Sequence, residues 1–515
     1  MPGLRREAPI VLIYLVVATL FAVYTPAWQV PDEPAHYNYI RHLALGHGLP
    51  MLRPGDYCQP CLDALTSAKF PPGTPVDDLH YEFHQPPLYY LLAVPVFLLF
   101  GGALLPLRLF SVALGAVLVV LAARIVDRAL AGVAPGTRRA LALGAAAFVA
   151  LLPQHVAMLS GVNNDALAEV LLAALLFTLL PAGEPEERVA RGERAIANAP
   201  ARSSLASFPY SSWAPAGVLL GLGLWTKATD YMGVGLVALA AALAYWQAGG
   251  TLRRRAAWRG GVRALAIAAI IALPWWLRNI AVYGGLDFLG MQYHNVIATQ
   301  GGQTTTAQWL AAYGLPEVLR RMAVTTVQSF WGQFGWMGVV LDARIYLVLV
   351  LLGALGVWGL LLHALDRRRL ANLPQETRAA LVLLGALAVF AAATYAWYNL
   401  TFVQHQGRYL YAGLIPAGLG LVAGWRRVAQ STWREMLGGA AWLALAGAAW
   451  YALAGLDMLR WAIVLWAAAV ALAGLGAITR RRLPVEILLA ALVAVALAAL
   501  ALVSLFAYVV PALTP

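Results

Sequence analysis

The stretch Val30-Pro31-Asp32-Glu33-Pro34-Ala35-His36-Tyr37 places two adjacent carboxylates directly after the first long apolar run of the chain. Ionisable groups at a membrane boundary are energetically costly and are retained mainly where they have a function. These two begin a polar segment, 26–86, whereas most other connections between apolar runs are short. The far end of that segment carries a second motif, Tyr81-Glu82-Phe83-His84-Gln85-Pro86-Pro87-Leu88-Tyr89-Tyr90. We expect the two motifs to frame one active site.

The composition around this segment is that of a polytopic membrane protein. Of the 515 residues, 61% are hydrophobic and 12% are charged, and the mean hydropathy is +0.70. We predict an all-α bundle of about 13 transmembrane helices, because apolar runs long enough to cross a bilayer recur along the chain. The bundle is expected to be a single domain over residues 1–515, with helices at the membrane surface in its first external loop.

Arginine clusters between the apolar runs determine the predicted orientation. Under the positive-inside rule, these clusters and the N-terminal Arg5-Arg6 lie in the cytoplasm. All of them do so if the stretch between 87 and 125 crosses the membrane once, which makes 87–102 an interfacial or re-entrant helix. A separate crossing of 87–102 would invert every later loop. With the single crossing, the external face carries 26–86, the turn 161–165, the long segment 283–337 and the turn 402–409.

The net charge of +12 does not indicate a nucleic-acid partner, because the arginines lie in short clusters between membrane spans. The segment 183–211, with mixed charges and many Ala, Pro and Ser residues, is predicted to be a flexible cytoplasmic linker. The first apolar run is interpreted as an uncleaved span. We expect an integral protein of a prokaryotic plasma membrane, with its active site outside the cytoplasm.

The external carboxylates are the first candidates for chemistry. An interfacial carboxylate can deprotonate an acceptor hydroxyl or amine, or hold a divalent cation beside a phosphate. Asp32 and Glu33 suit both roles, and the alternative is that Asp32 caps the following helix. Asp165 begins another apolar run, where metal or substrate binding and helix capping are again the alternatives. His84 and His36 are of a type that joins carboxylates around a metal, although an interfacial histidine is more often a hydrogen-bonded surface residue.

External cations are rarer than internal ones in this chain. Lys227 and Arg278 lie at predicted external helix ends, and Arg408 begins an apolar run on that face. Each is a candidate for binding a lipid-linked phosphate, and arginine is better suited to bidentate contact. The alternative is that these long side chains extend to the interface without binding a ligand.

Both cysteines of the chain lie in the external loop, in Cys58-Gln59-Pro60-Cys61. A disulfide is stable outside the cytoplasm, and we interpret the pair as a local structural clip. A redox-active pair and part of a zinc site are the alternatives.

Several of these motifs together resemble the GT-C superfamily of glycosyltransferases, in particular protein O-mannosyltransferases and lipid A aminoarabinose transferases. The first external loop of those enzymes is matched by Asp32-Glu33-Pro34-Ala35-His36-Tyr37, followed by Arg41 and Gly46-His47-Gly48. The resemblance continues in Pro86-Pro87-Leu88-Tyr89, Arg108-Leu109-Phe110-Ser111, Gly161-Val162-Asn163-Asn164-Asp165 and Gly407-Arg408-Tyr409-Leu410.

The resemblance implies a reaction and a set of partners. The donor would be a polyprenyl-phosphate sugar, and the acceptor a glycan, lipid or protein on the external face of the bilayer. Such enzymes often use a divalent metal, here Mg²⁺ or Mn²⁺, and we expect inversion at the anomeric carbon. This chain has His84-Gln85 where those relatives have Glu-Lys before the two prolines. Either Arg408 or Lys227 replaces the missing phosphate contact, or the donor differs.

Each candidate residue receives an expected role on this basis. Asp32 and Glu33 are the expected catalytic residues. The expected metal ligands are Asp32, Asp165 and His84. The expected contacts to the donor phosphate are Arg408, Lys227 and Arg278. The expected substrate-binding residues are His36, Tyr37, Gln85 and Asn164.

Two other functions fit parts of the pattern. A transporter or flippase of lipid-linked glycans would explain the spans and interfacial arginines, but transport sites usually lie at the bilayer midplane and not in a long external loop. A polysaccharide polymerase or ligase with a diphosphate-linked donor would use the same fold.

Overall fold

The computed structural model describes residues 4–181, 213–366, 372–455 and 485–515, which form a helical bundle with one two-stranded hairpin among them. The predicted linker 183–211 lies outside the described residues, and so does the apolar run 458–477, which is one of the runs counted among the 13 predicted spans. The secondary structure up to residue 181 consists of α1 (Leu4–Tyr24), α2 (Glu33–Ala44), α3 (Gln59–Ser67), α4 (Leu88–Leu99), α5 (Leu104–Ala129), α6 (Pro135–Leu151), α7 (Pro153–Leu159) and α8 (Asp165–Leu179).

The second described range contains α9 (Trp213–Leu224), α10 (Met232–Gln247), α11 (Thr251–Tyr283), α12 (Met291–Gln300), α13 (Thr306–Trp331), β1 (Gln333–Phe334), β2 (Val339–Val340) and α14 (Ala343–Leu365). The remaining ranges contain α15 (Gln375–Tyr398), α16 (Leu414–Ala429), α17 (Trp433–Ala454), α18 (Val485–Val503) and α19 (Val510–Leu513). Short 3-10 helices, Ala228–Tyr231 and Gly407–Gly413, precede α10 and α16, and a π-helical segment, Ser504–Val509, joins α18 to α19.

The helices have the length and composition of membrane spans. Within the described residues, eight helices are long and apolar enough to cross a bilayer, and the pair α6–α7, bent by 63°, would make a ninth span. The eight are Arg6–Tyr24, Leu104–Ala129, Ala228–Gln247, Thr251–Tyr283, Ala343–Leu365, Gln375–Tyr398, Trp433–Ala454 and Leu488–Leu513. The chain is therefore an integral membrane protein with an all-α polytopic fold, as predicted. The total of 13 spans stays a prediction.

The stretch after the polar segment forms one short and one long helix. Helix α4 has 12 residues, so at 1.5 Å per residue it is about 18 Å long, against a hydrocarbon core of about 30 Å. Gly101 and Gly102 follow with positive φ angles, and the chain turns there into the 26 residues of α5. This agrees with a single crossing between 87 and 125. The side of the membrane on which each loop lies stays a prediction.

The two long polar segments are more helical than their composition suggests. The segment 26–86 contains α2 and α3, as expected for helices at the membrane surface. Most of 283–337 is also helical, because it contains α12 and the kinked helix α13. The hairpin of β1 with β2 begins where α13 ends. The kink in α13 lies at Gly314, whose φ is 75°.

A close crossing of two helices stabilises the bundle away from the polar segments. Gly356 and Gly359 of α14 pack directly against Gly424 of α16, and a Cβ atom on Gly359 would overlap the carbonyl group of Gly424. Small residues at such crossings allow the two backbones to approach closely. In lipid the hydrophobic effect does not drive helices together, so close van der Waals packing of this kind stabilises the contact.

We predict that Gly359→Ala destabilises the protein by about 1–3 kcal/mol, the usual cost of overpacking. Gly353→Ala is the matched control, because Gly353 lies on the same helix with no atom within 4 Å of its Cβ position. The measurement is the thermal unfolding midpoint in detergent. Equal midpoints for the two variants would contradict the close crossing.

Candidate active site

Asp32 lies between the end of α1 and the start of α2, in a strained backbone conformation. Its φ is 68°, in the left-handed region that non-glycine residues seldom adopt. The Asp32 side chain makes no capping hydrogen bond to α2, so the interpretation of Asp32 as a helix cap is wrong. Its Oδ2 accepts a hydrogen bond from Arg408 Nη2 at 2.6 Å, and its Oδ1 accepts one from Tyr81 OH at 3.2 Å. Strain of this kind concentrates at functional sites.

The neighbouring carboxylate, Glu33, points away from Asp32 into the protein. The Glu33 side chain is fully buried and forms a bidentate ion pair with Arg108, at 2.7 and 2.6 Å. It also accepts hydrogen bonds from the backbone N–H groups of Trp28 and Val162. Since both Glu33 oxygens are engaged by the protein itself, the geometry favours a structural role for Glu33 over the predicted catalytic one.

A second carboxylate–cation pair lies at the start of α8. Lys227 Nζ donates to Asp165 Oδ1 at 2.5 Å and to Asn164 Oδ1 at 3.0 Å. The Asn164 amide in turn donates to Gln85 Oε1 and to the carbonyl of Thr226. The structure therefore brings together four of the predicted residues, Asp165, Lys227, Asn164 and Gln85.

The two ion pairs form one electrostatic unit. Lys227 lies within electrostatic reach of Asp32, and Arg408 lies within reach of Asp165. Burial opposes ionisation of Asp32, but the Arg408 guanidinium, His36 and Lys227 together outweigh burial and hold the pKa of Asp32 below its usual value. Burial lowers the pKa of His36. The strongly basic side chains of the site are those of Arg408 and Lys227.

Glu82 is a site residue that the sequence analysis did not select. It lies within electrostatic reach of Asp32, His36 and Lys227. Burial, and then the negative charge of Asp32, raise the pKa of Glu82 against the opposing effects of His36 and Lys227. Its Oε2 atom is buried and has no hydrogen-bond partner among the described residues. The sequence signal was its position in the motif 81–90, one residue after Tyr81, which contacts Asp32.

Some predicted site residues are engaged elsewhere. Arg278 donates to the carbonyl of Pro50 and lies over the rings of Trp275 and Tyr283. The hydroxyl of Tyr37 donates to the carbonyl of Gly102. These contacts assign Arg278 and Tyr37 to loop packing, and neither has a recorded contact with Asp32 or Asp165.

The predicted metal ligands do not form a metal site. Among the described residues, no group of three or more His, Cys, Asp or Glu side chains is arranged to hold a metal ion. Asp32 and Asp165 are each bound to a cationic side chain instead. The His84 ring packs against the His294 ring in a tilted arrangement, with ring centroids 4.1 Å apart, and its Nδ1 faces the carbonyl of Tyr81. Burial lowers the pKa of His84 to about 4. The residues present do not fit a divalent metal.

Cys58 and Cys61 form a disulfide, and its role as a structural clip stays a prediction. The clip lies at the N-terminus of α3, where Cys58 Sγ accepts a hydrogen bond from the backbone N–H of Cys61. The backbone N–H of Gln59 donates to the carbonyl of Gly301 at 2.8 Å. This backbone hydrogen bond links the first polar segment to the second. It lies beside Tyr57, which is within electrostatic reach of Asp32 and Glu82.

Comparison with known proteins gives no match to a family model and no match to a curated protein. Several solved structures are similar. An oligosaccharyltransferase of Archaeoglobus fulgidus, tethered to an acceptor peptide, matches over 95% of this chain and 55% of its own, at 13% identity and a TM-score of 0.44. ArnT of Cupriavidus metallidurans, bound to undecaprenyl phosphate, matches over 97% and 77%, at 14% identity and a TM-score of 0.46.

The protein O-mannosyltransferase complex Pmt1–Pmt2 of S. cerevisiae, bound to its sugar donor, matches over 54% of this chain and 33% of its own, at 19% identity and a TM-score of 0.33. The chain spans about half the length of the archaeal oligosaccharyltransferase. That enzyme has also been solved with zinc and sulfate.

We predict that Glu33→Gln lowers the free energy of unfolding by about 3–5 kcal/mol, the usual cost of leaving one member of a buried ion pair without its partner. Asp32→Asn is the comparison, because the Asp32 side chain is partly exposed whereas the Glu33 side chain is fully buried. Thermal unfolding of the two variants in detergent decides between the roles. A Glu33→Gln protein as stable as the wild type would contradict the structural assignment.

Proposed function

We propose that this chain transfers a sugar from a polyprenyl-phosphate donor to an acceptor on the external face of the membrane. One observation carries the proposal: two largely buried cations, Lys227 and Arg408, are each held by a carboxylate at helix ends that belong to a membrane bundle. The Nε atom of Arg408 is buried and has no hydrogen-bond partner among the described residues. A donor N–H in that state suits an anionic ligand.

A lipid phosphate fits this arrangement better than a soluble one. The tail of a polyprenyl phosphate lies in the bilayer, so its phosphate lies at the interface, at the depth of residues that follow a membrane span. Asp32 follows α1, and Lys227 directly precedes the span Ala228–Gln247. Asp32 and Asp165 hold the two cations in place before the donor binds, which avoids reorganisation during the reaction.

The proposed reaction is a single displacement. The acceptor oxygen or nitrogen forms a bond to the anomeric carbon while the bond from that carbon to the phosphate oxygen breaks, which inverts the configuration. The leaving phosphate gains one negative charge, and Arg408 and Lys227 stabilise that charge. A carboxylate of the site takes the proton of the acceptor. Retained configuration in the product would exclude this course.

The test is a donor screen with purified protein in lipid. We expect consumption of one polyprenyl-phosphate sugar, with undecaprenyl and dolichyl phosphates as the two lipid series. Turnover of diphosphate-linked donors alone would indicate a polymerase or ligase. Movement of a fluorescent lipid-linked glycan across vesicle membranes without any transfer would indicate a flippase.

Arg408→Gln and Lys227→Met should each raise the KM for the donor about 10- to 100-fold, because a hydrogen bond to a charged group contributes about 1.5–3 kcal/mol. Arg278→Gln is the matched control and should leave the KM for the donor unchanged. The Arg278 guanidinium donates a hydrogen bond to the carbonyl of Pro50 and lies over two aromatic rings. A larger effect at Arg278 than at Arg408 would show that the phosphate binds elsewhere.

Turnover should persist after treatment with EDTA and should change less than about twofold on addition of Mg²⁺ or Mn²⁺. The reason is that Arg408 and Lys227 occupy the carboxylates that a metal would need. The measurement is initial rate against metal concentration. An absolute requirement for a divalent cation would contradict this account of charge stabilisation.

A further inference from the structure

Asp32, Asp165 and Glu82 lie around the proposed reaction site, and their hydrogen bonding differs. Asp32 accepts from Arg408 and Tyr81, and Asp165 accepts from Lys227. Glu82 has no ion pair of its own among the described residues, and its buried Oε2 makes no hydrogen bond to any of them. A buried polar atom without a partner costs about 1–3 kcal/mol. Such an atom in a site is suited to accept a hydrogen bond from the substrate.

Glu82 belongs to the same charged cluster as Asp32 and Lys227. The charged and titratable groups within electrostatic reach of Glu82 come from several parts of the chain. They are Asp32 and His36 at the start of α2, Tyr57 before α3, Tyr81 and Tyr90 in the same motif, Lys227 between α9 and α10, and Tyr398 at the end of α15. Of the two cations of the site, Lys227 reaches Glu82 but is bound to Asp165.

We propose that Glu82, and not Asp32, accepts the proton of the acceptor hydroxyl or amine, while Asp32 is a positioning residue that holds Arg408 against the donor phosphate. This inference rests on the proposed function and names the base of that reaction. It departs from the role that the sequence motifs imply for Asp32.

The physical argument compares the two carboxylates as bases. A general base works best when its pKa lies near the working pH and a lone pair is available to the substrate. The Arg408 guanidinium stabilises the ionised form of Asp32, which makes Asp32 a weak base, and its two oxygens already accept hydrogen bonds. Burial and the charge of Asp32 make Glu82 a stronger base. When their surroundings shift the pKa values of two neighbouring carboxyl groups in opposite directions, the two groups commonly have different catalytic roles.

The proton and charge balance of the step is complete without a further reactant. The acceptor O–H or N–H bond breaks, its proton goes to Glu82, and the carboxylate becomes a neutral carboxyl group. The new glycosidic bond uses the freed electron pair. The bond between the anomeric carbon and the phosphate oxygen breaks, and the lipid phosphate leaves as a dianion opposite Arg408 and Lys227.

The experiment uses the full chain in lipid with its donor, and compares Glu82→Gln, Asp32→Asn and the loop control Asp77→Asn. We expect Glu82→Gln to lower kcat by about 10²–10⁴-fold, the usual contribution of a general base, with the donor KM within about twofold of wild type. Asp32→Asn should instead mainly raise the donor KM. Asp77 pairs with Arg41 at the surface, and Asp77→Asn should behave as wild type.

Two further readouts separate a base from a structural residue. The acid limb of the wild-type pH–rate profile, where activity falls as Glu82 becomes protonated, should be absent in Glu82→Gln and present in Asp32→Asn. Azide is already a deprotonated nucleophile, so it should restore donor consumption in Glu82→Gln, with a glycosyl azide as product, and should not restore it in Asp32→Asn. If Glu82→Gln fails to fold, Glu82→Asp decides, because a retained carboxyl group should keep the acid limb with partial turnover.

Two outcomes would overturn this inference and leave the proposed function standing. One is a Glu82→Gln variant that turns over the donor as fast as the wild type, and the other is a rescue by azide of Asp32→Asn but not of Glu82→Gln. Loss of the acid limb in Glu82→Asp would also overturn it. Failure of the wild-type protein to consume any polyprenyl-phosphate sugar would overturn both.

Discussion

The buried ion pair between Glu33 and Arg108 connects α5 to the end of α1, the start of α2 and the turn before α8. Arg108, on α5, also donates to the carbonyl groups of Ala22, Thr25 and Pro26, where α1 ends. Glu33, at the start of α2, accepts from the backbone of Val162 in the turn before α8. Every orphan carbonyl at the end of a helix needs a partner, and here one guanidinium satisfies several of them while fixing the positions of the segments that carry Asp32 and Asp165.

The site combines charges of both signs in a confined volume. Removing a charge from water costs several kcal/mol, and an ion pair recovers this only with good geometry and further hydrogen bonds. Asp32–Arg408 and Asp165–Lys227 are short pairs that remain partly exposed. A ligand phosphate therefore binds to cations that are already desolvated and held in place. The phosphate competes with the carboxylates for these cations, and a carboxylate that loses its cation keeps its other hydrogen bonds, such as that of Asp32 with Tyr81.

The sequence predicted the membrane helices because hydropathy depends on local composition, and it predicted Asp32, Asp165, Lys227 and Arg408 because a charge beside an apolar run is conspicuous. It assigned Glu33 to catalysis because Glu33 adjoins Asp32 in the chain. The left-handed backbone at Asp32 turns the two side chains apart, and no local pattern encodes that turn.

Glu82 was not selected for a related reason. Its distinguishing property is a buried oxygen without a partner, which arises only when distant segments pack around it. The pairing of Arg278 with Pro50 is likewise a contact across 228 positions of the chain that composition does not reveal.

Because the chain is synthesised from its N-terminus, the ion pairs of Asp32 and Glu33 can form at different times. Glu33 and Arg108 are 75 positions apart, so their pair can form early, whereas Asp32 and Arg408 are 376 positions apart. From Arg108 to Arg408 is 408 − 108 = 300 residues, which takes roughly 15–60 s at translation rates of about 5–20 residues per second. During that interval the Asp32 carboxylate has no Arg408 guanidinium to pair with. A nascent chain thus acquires its scaffold first and its charge-neutralised site near the end, so an incompletely inserted chain lacks the cation opposite Asp32.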